Sequence, residues 1–218
     1  MTFVQWADHD AGARYEVVAG GEERHLGRFA DVFGIYEGDR LRMELLLDRQ
    51  TGAPLVSRIY DGDGRIFRSA TMVDFRPYAS AAKLADAGDG EFEVIVSGDV
   101  EVDLPDLAAG YRRTDVYVGP EGVLQAYYTD GLFSFSVFVL DGVRRLEDLA
   151  VGRFVDLAGA RYLVRVEATE LWTLWNDATA TYVLVGDLPP DHLEAVLAEL
   201  PRPERPGFLA RLWRRFFG

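Results

Sequence analysis

The chain of 218 residues contains no cysteine, three histidines, three methionines and a single lysine, Lys83, among its 23 basic residues. Without cysteine there can be no disulfide, no thiolate nucleophile and no cysteine-ligated metal, and the redox compartment stays open. No apolar run approaches the roughly 18–20 residues that a membrane-spanning helix needs. The opening "MTFVQWADHDAGARYEV" lacks the basic start and apolar stretch of a secretory signal, which leaves open either a cytoplasmic protein or a piece of a longer one. Phosphate-cradling GxxxxGK[ST] and GxGxxG patterns are absent, as is a GxSxG nucleophile elbow. His9, His25 and His192 are scattered and read as ordinary surface residues, because zinc sites need several ligands at loop or helix spacing. "DGDG" (61–64) suggests calcium, but Gly64 stands where a ligand is required and Met72 where the closing Glu should be, so it reads as a hairpin turn. Acid pairs such as Asp61/Asp63 and Glu91/Glu93 fall on turns and connections, where carboxylates are solvated charge rather than a general acid and base. These absences point away from an enzyme and imply no catalytic residue, no metal and no cofactor.

What is present is an acidic chain of ordinary globular composition, 49% hydrophobic and 27% charged, with a net charge of −13. Residues 84–106 carry eight acids and no base, whereas residues 202–218 carry five arginines and one Glu. Neutralising nucleic-acid phosphates needs a broad basic face, so an acidic body argues against nucleic acid as partner.

The first third reads as short strands joined by tight turns: "RYEVVAG" (14–20), "RFADVFGIYEG" (28–38), "LRMELLLDRQTG" (41–52), "PLVSRIYDGDG" (54–64) and "RIFRSATMVDF" (65–75). The last three predict a meander with turns at Asp48–Gly52 and at "DGDG". From Pro77 to Asp106 the pattern loosens into an acidic connection with one alternating stretch near Phe92–Val96. Strand patterns resume in 110–142 and 160–187, with Asn176-Asp177 predicting a turn between a Trp-rich strand and "TYVLV".

Within "YYTDGLFSFSVFVLDG" (127–142), odd positions from Phe133 to Val139 are apolar, while even positions read Ser134, Ser136, Phe138, Leu140. The period of two predicts a hairpin strand with one buried face. Ser134 and Ser136 then face solvent or a docking partner. The aromatics Tyr127, Tyr128, Phe133, Phe135, Phe138, Trp172, Trp175 and Tyr182 suit either a packed sheet or a ligand groove. Two helices are predicted. In "PPDHLEAVLAELP" (189–201), Leu193, Val196, Leu197 and Leu200 share a face between proline boundaries. In "FLARLWRRFFG" (208–218), Phe208, Leu212, Trp213 and Phe216 fall on one half of the wheel and Arg211, Arg214 and Arg215 on the other. That tail suits packing on its own sheet, a membrane surface or a partner.

Two segments carry a resemblance. "YYTDGLFSFSVFV", followed about 45 residues later by "TYVLVGDLPPDHLEAVLAELP", resembles the C-terminal domain of the RseB/MucB family, regulators of the sigma-E envelope stress response, and "LAAGYRR" (107–113) resembles the start of that domain. "LLLDRQTGAPLVSRIYDGDGRIFRSATMVDF" (45–75) is similar to the later meander of the family's N-terminal domain, an open antiparallel sheet of the kind found in the lipoprotein carrier LolA. The resemblance implies a mainly β fold with few helices: a partial LolA-like β domain at 1–78, an acidic linker with a strand at 79–106, a smaller α+β domain with a packed helix at 107–200, and a basic amphipathic tail at 201–218. It also implies a non-enzymatic extracytoplasmic or periplasmic regulator that binds the extracytoplasmic segment of an anti-sigma factor and modulates its proteolysis. Lipid and a second copy of the chain are further partners to consider. The competing readings are a LolA-type lipid or lipoprotein carrier and a β-rich adaptor with a membrane- or partner-binding tail helix.

Overall fold

A computed structural model describes residues 14–75, 103–119, 122–167 and 170–203. The described residues fall into two compact units, each built on its own antiparallel sheet.

The first unit is a five-stranded meander in sequence order: β1 (Glu16–His25), β2 (Arg28–Glu37), β3 (Arg40–Asp48), β4 (Pro54–Tyr60) and β5 (Ile66–Thr71). Its core gathers Ala30, Leu46, Leu55 and Val56, with Val32, Met72 and Phe75 packed against them. The turns follow the side-chain chemistry read from the sequence. Asp48 accepts hydrogen bonds from the backbone N–H (2.9 Å) and hydroxyl (2.7 Å) of Thr51, and Gly52 takes φ +70°. At "DGDG" the Asp61 carboxylate accepts from the backbone N–H groups of Asp63 and Arg65, a side-chain-closed turn rather than a cation loop. The hairpin between β1 and β2 turns on Leu26 (φ 51°) and Gly27 (φ 74°). A leucine in the left-handed region is a weak turn signal, and it is why β1 runs five residues beyond the expected Gly20.

The second unit contains β6 (Leu107–Ala108), β7 (Tyr111–Val118), β8 (Leu124–Thr129), β9 (Ser134–Asp141), a one-turn helix α1 (Leu146–Leu149), β10 (Arg153–Leu157), β11 (Ala160–Val166), β12 (Leu171–Asn176), β13 (Ala180–Gly186) and helix α2 (Pro190–Glu199). Its strands lie in the order β10-β11-β12-β13-β9-β8-β7-β6. The expectation of a smaller second sheet is corrected: among the described residues it has eight strands against five. The hairpin β10–β11 accounts for part of the difference, since "RFVDL" has no clean alternation and its turn, Ala158-Gly159, begins with a residue that rarely takes positive φ. Gly186 is required where β13 meets β9, because a Cβ there would lie 2.5 Å from the Ser134 carbonyl oxygen.

The predicted helix at 189–201 is α2, whose Leu193, Val196 and Leu197 are buried. It packs on the face of the second sheet that carries the odd-numbered residues of β9. Among the described residues no helix is long and apolar enough to cross a membrane.

Candidate functional site

Strand β9 divides the second sheet into two chemically different faces. On the helix-covered face, Phe133, Phe135 and Val137 are almost fully buried. Phe135 stacks on Tyr128 (centroids 4.8 Å, planes 3° apart) and meets Tyr111 edge-on at 5.3 Å. Farther along the same face Trp175 stacks on Tyr182 at 5.2 Å and meets Tyr162 edge-on at 5.6 Å. Burial pushes the Tyr128 phenol up to about 12, while its hydroxyl donates to the Pro105 carbonyl at 2.7 Å. The Trp175 indole N–H likewise donates to the Pro201 carbonyl, so the aromatic polar handles are used in packing.

His192 corrects a sequence expectation. The sequence reads it as a surface residue, yet it is 5% exposed in the first turn of α2, with Nδ1 2.7 Å from the Tyr111 hydroxyl and its ring edge-on to Phe133 at 5.7 Å. The helix periodicity places Leu193, Val196 and Leu197 inward. A histidine one position before Leu193 joins them because Tyr111, 81 residues away, supplies a polar partner. His25 is half-buried, with Nε2 2.8 Å from the Met72 carbonyl oxygen. His9 lies outside the described residues.

The opposite face carries Ser134 and Ser136. Register places Ser136 between Tyr127 of β8 and Val185 of β13, and its hydroxyl accepts from the Gln125 amide at 2.9 Å. The backbone N–H of Ser134 donates to the Asp187 carboxylate at 2.8 Å. Both serines are half-buried and sit within a polar stretch of sheet. Farther along β9 this face becomes apolar: Phe138 and Leu140 pack on Leu163, Leu174 and Val183 beneath Leu146 and Ala150 of the α1 segment. Two serines followed by a strand end that is apolar and half-buried on both faces are thus explained by where the α1 segment lies. The aromatics split accordingly, with Tyr128, Phe133, Phe135, Trp175 and Tyr182 in the core and Tyr127, Phe138 and Trp172 half-buried on the serine face or under its cover.

The tail candidates Phe208, Leu212, Trp213, Phe216, Arg211, Arg214 and Arg215 lie outside the described residues, as does the acidic connection up to residue 102. Among the described residues no group of three His, Asp or Glu side chains is placed to hold a metal ion. The turn that begins β9 is held by Asp130, whose carboxylate accepts from the backbone N–H groups of Leu132 (3.0 Å) and Phe133 (2.9 Å), with Gly131 at φ 90°.

The chain is similar to known proteins in sequence and in fold. The Sigma-E factor regulatory protein RseB of Haemophilus influenzae is 30% identical over 142 residues, which cover 57% of this chain and 44% of the relative. A crystal structure of MucB superposes with a TM-score of 0.54 at 25% identity, covering 89% of this chain and 65% of that one. The chain is thus similar to RseB in sequence and to MucB in fold. The fold also matches MucB in the MucA/MucB complex of Pseudomonas aeruginosa (TM-score 0.53, 22% identity, 89% of this chain and 67% of that one). A second structure, MucB in complex with MucA(peri), matches with TM-score 0.53 at 24% identity over 90% of this chain and 70% of that one. No protein-family model matches the chain. The chain spans less than half the length of the RseB relative it matches.

Sequence reasoning missed two features of this unit. One is the Tyr111–His192 pair, for which the sequence holds no local signal. The other is the exposed β10–β11 hairpin, for which "LAGA" (157–160) was the available turn cue.

Proposed function

We propose that this chain is a non-enzymatic extracytoplasmic regulator that binds the extracytoplasmic segment of an anti-sigma factor and modulates its proteolysis in an envelope stress response. The observation that carries the reading is the 30% identity to the regulator RseB, together with the fold shared with MucB. MucB has been solved in complex with MucA, which supports a protein segment as the ligand class. The chemistry of the second unit is compatible with this. Its buried Tyr111, Tyr128, Trp175 and His192 have their polar atoms engaged in hydrogen bonds, and its exposed features are strand edges and a partly polar sheet face, which suit main-chain and side-chain contacts to a polypeptide. A periplasmic location follows from the same reading.

The test is a pull-down with the purified full chain as bait and, as prey, the extracytoplasmic segment of the one-span anti-sigma factor encoded in the same genome. Stoichiometric recovery is expected. Recovery no greater than with an unrelated bait overturns the reading.

A further inference from the structure

Strand β10 ends the second sheet, and its outer edge has no strand neighbour among the described residues. Its pairing determines which backbone groups are free. The two-residue turn Ala158-Gly159 has positive φ at both positions (49° and 77°), the geometry of a type I′ hairpin. In such a hairpin the residues flanking the turn, Leu157 and Ala160, exchange hydrogen bonds with each other. Alternation then gives the same role to the pairs Val155↔Tyr162 and Arg153↔Val164. Phe154 and Asp156 fall between these pairs, so their N–H and C=O groups point away from β11 and toward the open edge. That edge offers two donors and two acceptors in the spacing of a strand.

The surroundings are apolar and basic. Phe154 is 41% exposed, Val155 38%, and the neighbouring Val151 84%. Residues 143–166 contain five arginines and three acids in a chain whose totals are 23 bases and 36 acids. Arg161 lies over the Phe154 ring at 4.9 Å. Arg153, on β10 itself, is exposed and forms no ion pair among the described residues.

We propose that β10 is a strand-addition site, at which an extended, acidic segment with apolar residues at alternate positions pairs with the backbone of Phe154 and Asp156 and places its carboxylates against these arginines. The inference rests on the regulatory reading and assigns the segment to the anti-sigma factor. A second copy of the chain fits less well. Two β10 strands paired antiparallel about Phe154 set Arg153 opposite Val155, which leaves the arginines of the edge without counter-charges.

Phe154→Pro tests the site, because the N–H it removes is an edge donor that the β10–β11 ladder does not use. Asp156→Pro is the second variant. The probe is the purified extracytoplasmic segment of the genome's own anti-sigma factor, titrated into the full chain, with amide exchange followed at single residues. Expected are binding weakened by about tenfold or more in both variants at near wild-type melting temperature, and slowed exchange in wild type at Phe154 and Asp156 but not at Val155. Equal binding by wild type and variants, with no slowing at the two amides, overturns the edge site and leaves the regulatory reading standing. No binding by any form overturns both. A concentration-dependent dimer that the proline variants lose, without edge protection by the segment, assigns β10 to a second copy and overturns the proposal. Should the variants fail to fold, the exchange pattern of the wild-type chain decides alone.

Discussion

Phe135 shows how a single residue carries the second unit. It is 1% exposed, stacked on Tyr128 and edge-on to Tyr111, which itself bonds His192 of α2. Truncation to alanine removes the ring contacts and leaves a cavity between sheet and helix. Phe135→Ala is expected to cost about 3–5 kcal/mol of stability in chemical denaturation, and a loss below ~1 kcal/mol would show that the site collapses or that the ring is not core. In the first unit Asp48 has the corresponding place. Two hydrogen bonds from Arg28 (2.7 and 2.9 Å) hold its carboxyl well below the usual carboxylate range against the opposing effect of burial, and Thr51 adds to them. A carboxyl depressed in the folded state contributes stability above its unfolded pKa of about 4 and loses that contribution as pH falls through the folded value. The melting temperature of Asp48→Asn should therefore lie furthest below wild type near neutral pH, with the gap closing as the solution is acidified. A gap that is constant with pH contradicts the ion-pair account.

The elements rest on turns as much as on strands. Three hairpins turn on an X-Gly pair with positive φ at both residues: Leu26-Gly27, Ala109-Gly110 and Ala158-Gly159. Leucine pays a steric penalty in that region that asparagine largely avoids, and Leu26 is 43% exposed, so nothing in the core is lost by replacing it. Leu26→Asn should raise stability by up to about 1 kcal/mol, read as a shifted denaturation midpoint at unchanged slope; a lowered midpoint would contradict the turn assignment. These turns also mark how far the sequence was legible. Period-two alternation located β2–β5, β7–β9 and β12–β13, and it correctly separated the buried Phe133, Phe135 and Val137 from Ser134 and Ser136. It could not see that Asp187 and Gln125 bind those two serines, because strand pairing brings them together from 53 and 11 residues away. Nor could it find β10, whose Arg-Phe-Val-Asp-Leu run mixes charge and apolar residues on both faces, as an edge strand does when only one neighbour dictates its pattern. The burial of His192 is illegible for a related reason: a first-turn helical position is buried or exposed according to what the turn packs against.

At the scale of the whole molecule, charge is unevenly distributed, with acids dominating 84–106 and arginines the last seventeen residues. If 208–218 forms a helix, the sequence sets Phe208, Leu212, Trp213 and Phe216 opposite Arg211, Arg214 and Arg215, and we propose an anionic bilayer as one surface that such a face would meet. Flotation with vesicles containing anionic lipid should carry the full chain upward and leave a 1–203 truncation behind. Equal behaviour of the two removes membrane contact from the tail's roles and leaves self-packing or a protein partner. The regulatory account stands on a different contact, that between this chain and an anti-sigma factor. Its most direct measurement is the cleavage rate of the anti-sigma factor's extracytoplasmic segment by its own protease, with increasing amounts of the purified chain. Saturable protection, matched in concentration dependence to direct binding, is the predicted result. Cleavage that proceeds at the same rate at every concentration of the chain would contradict the account.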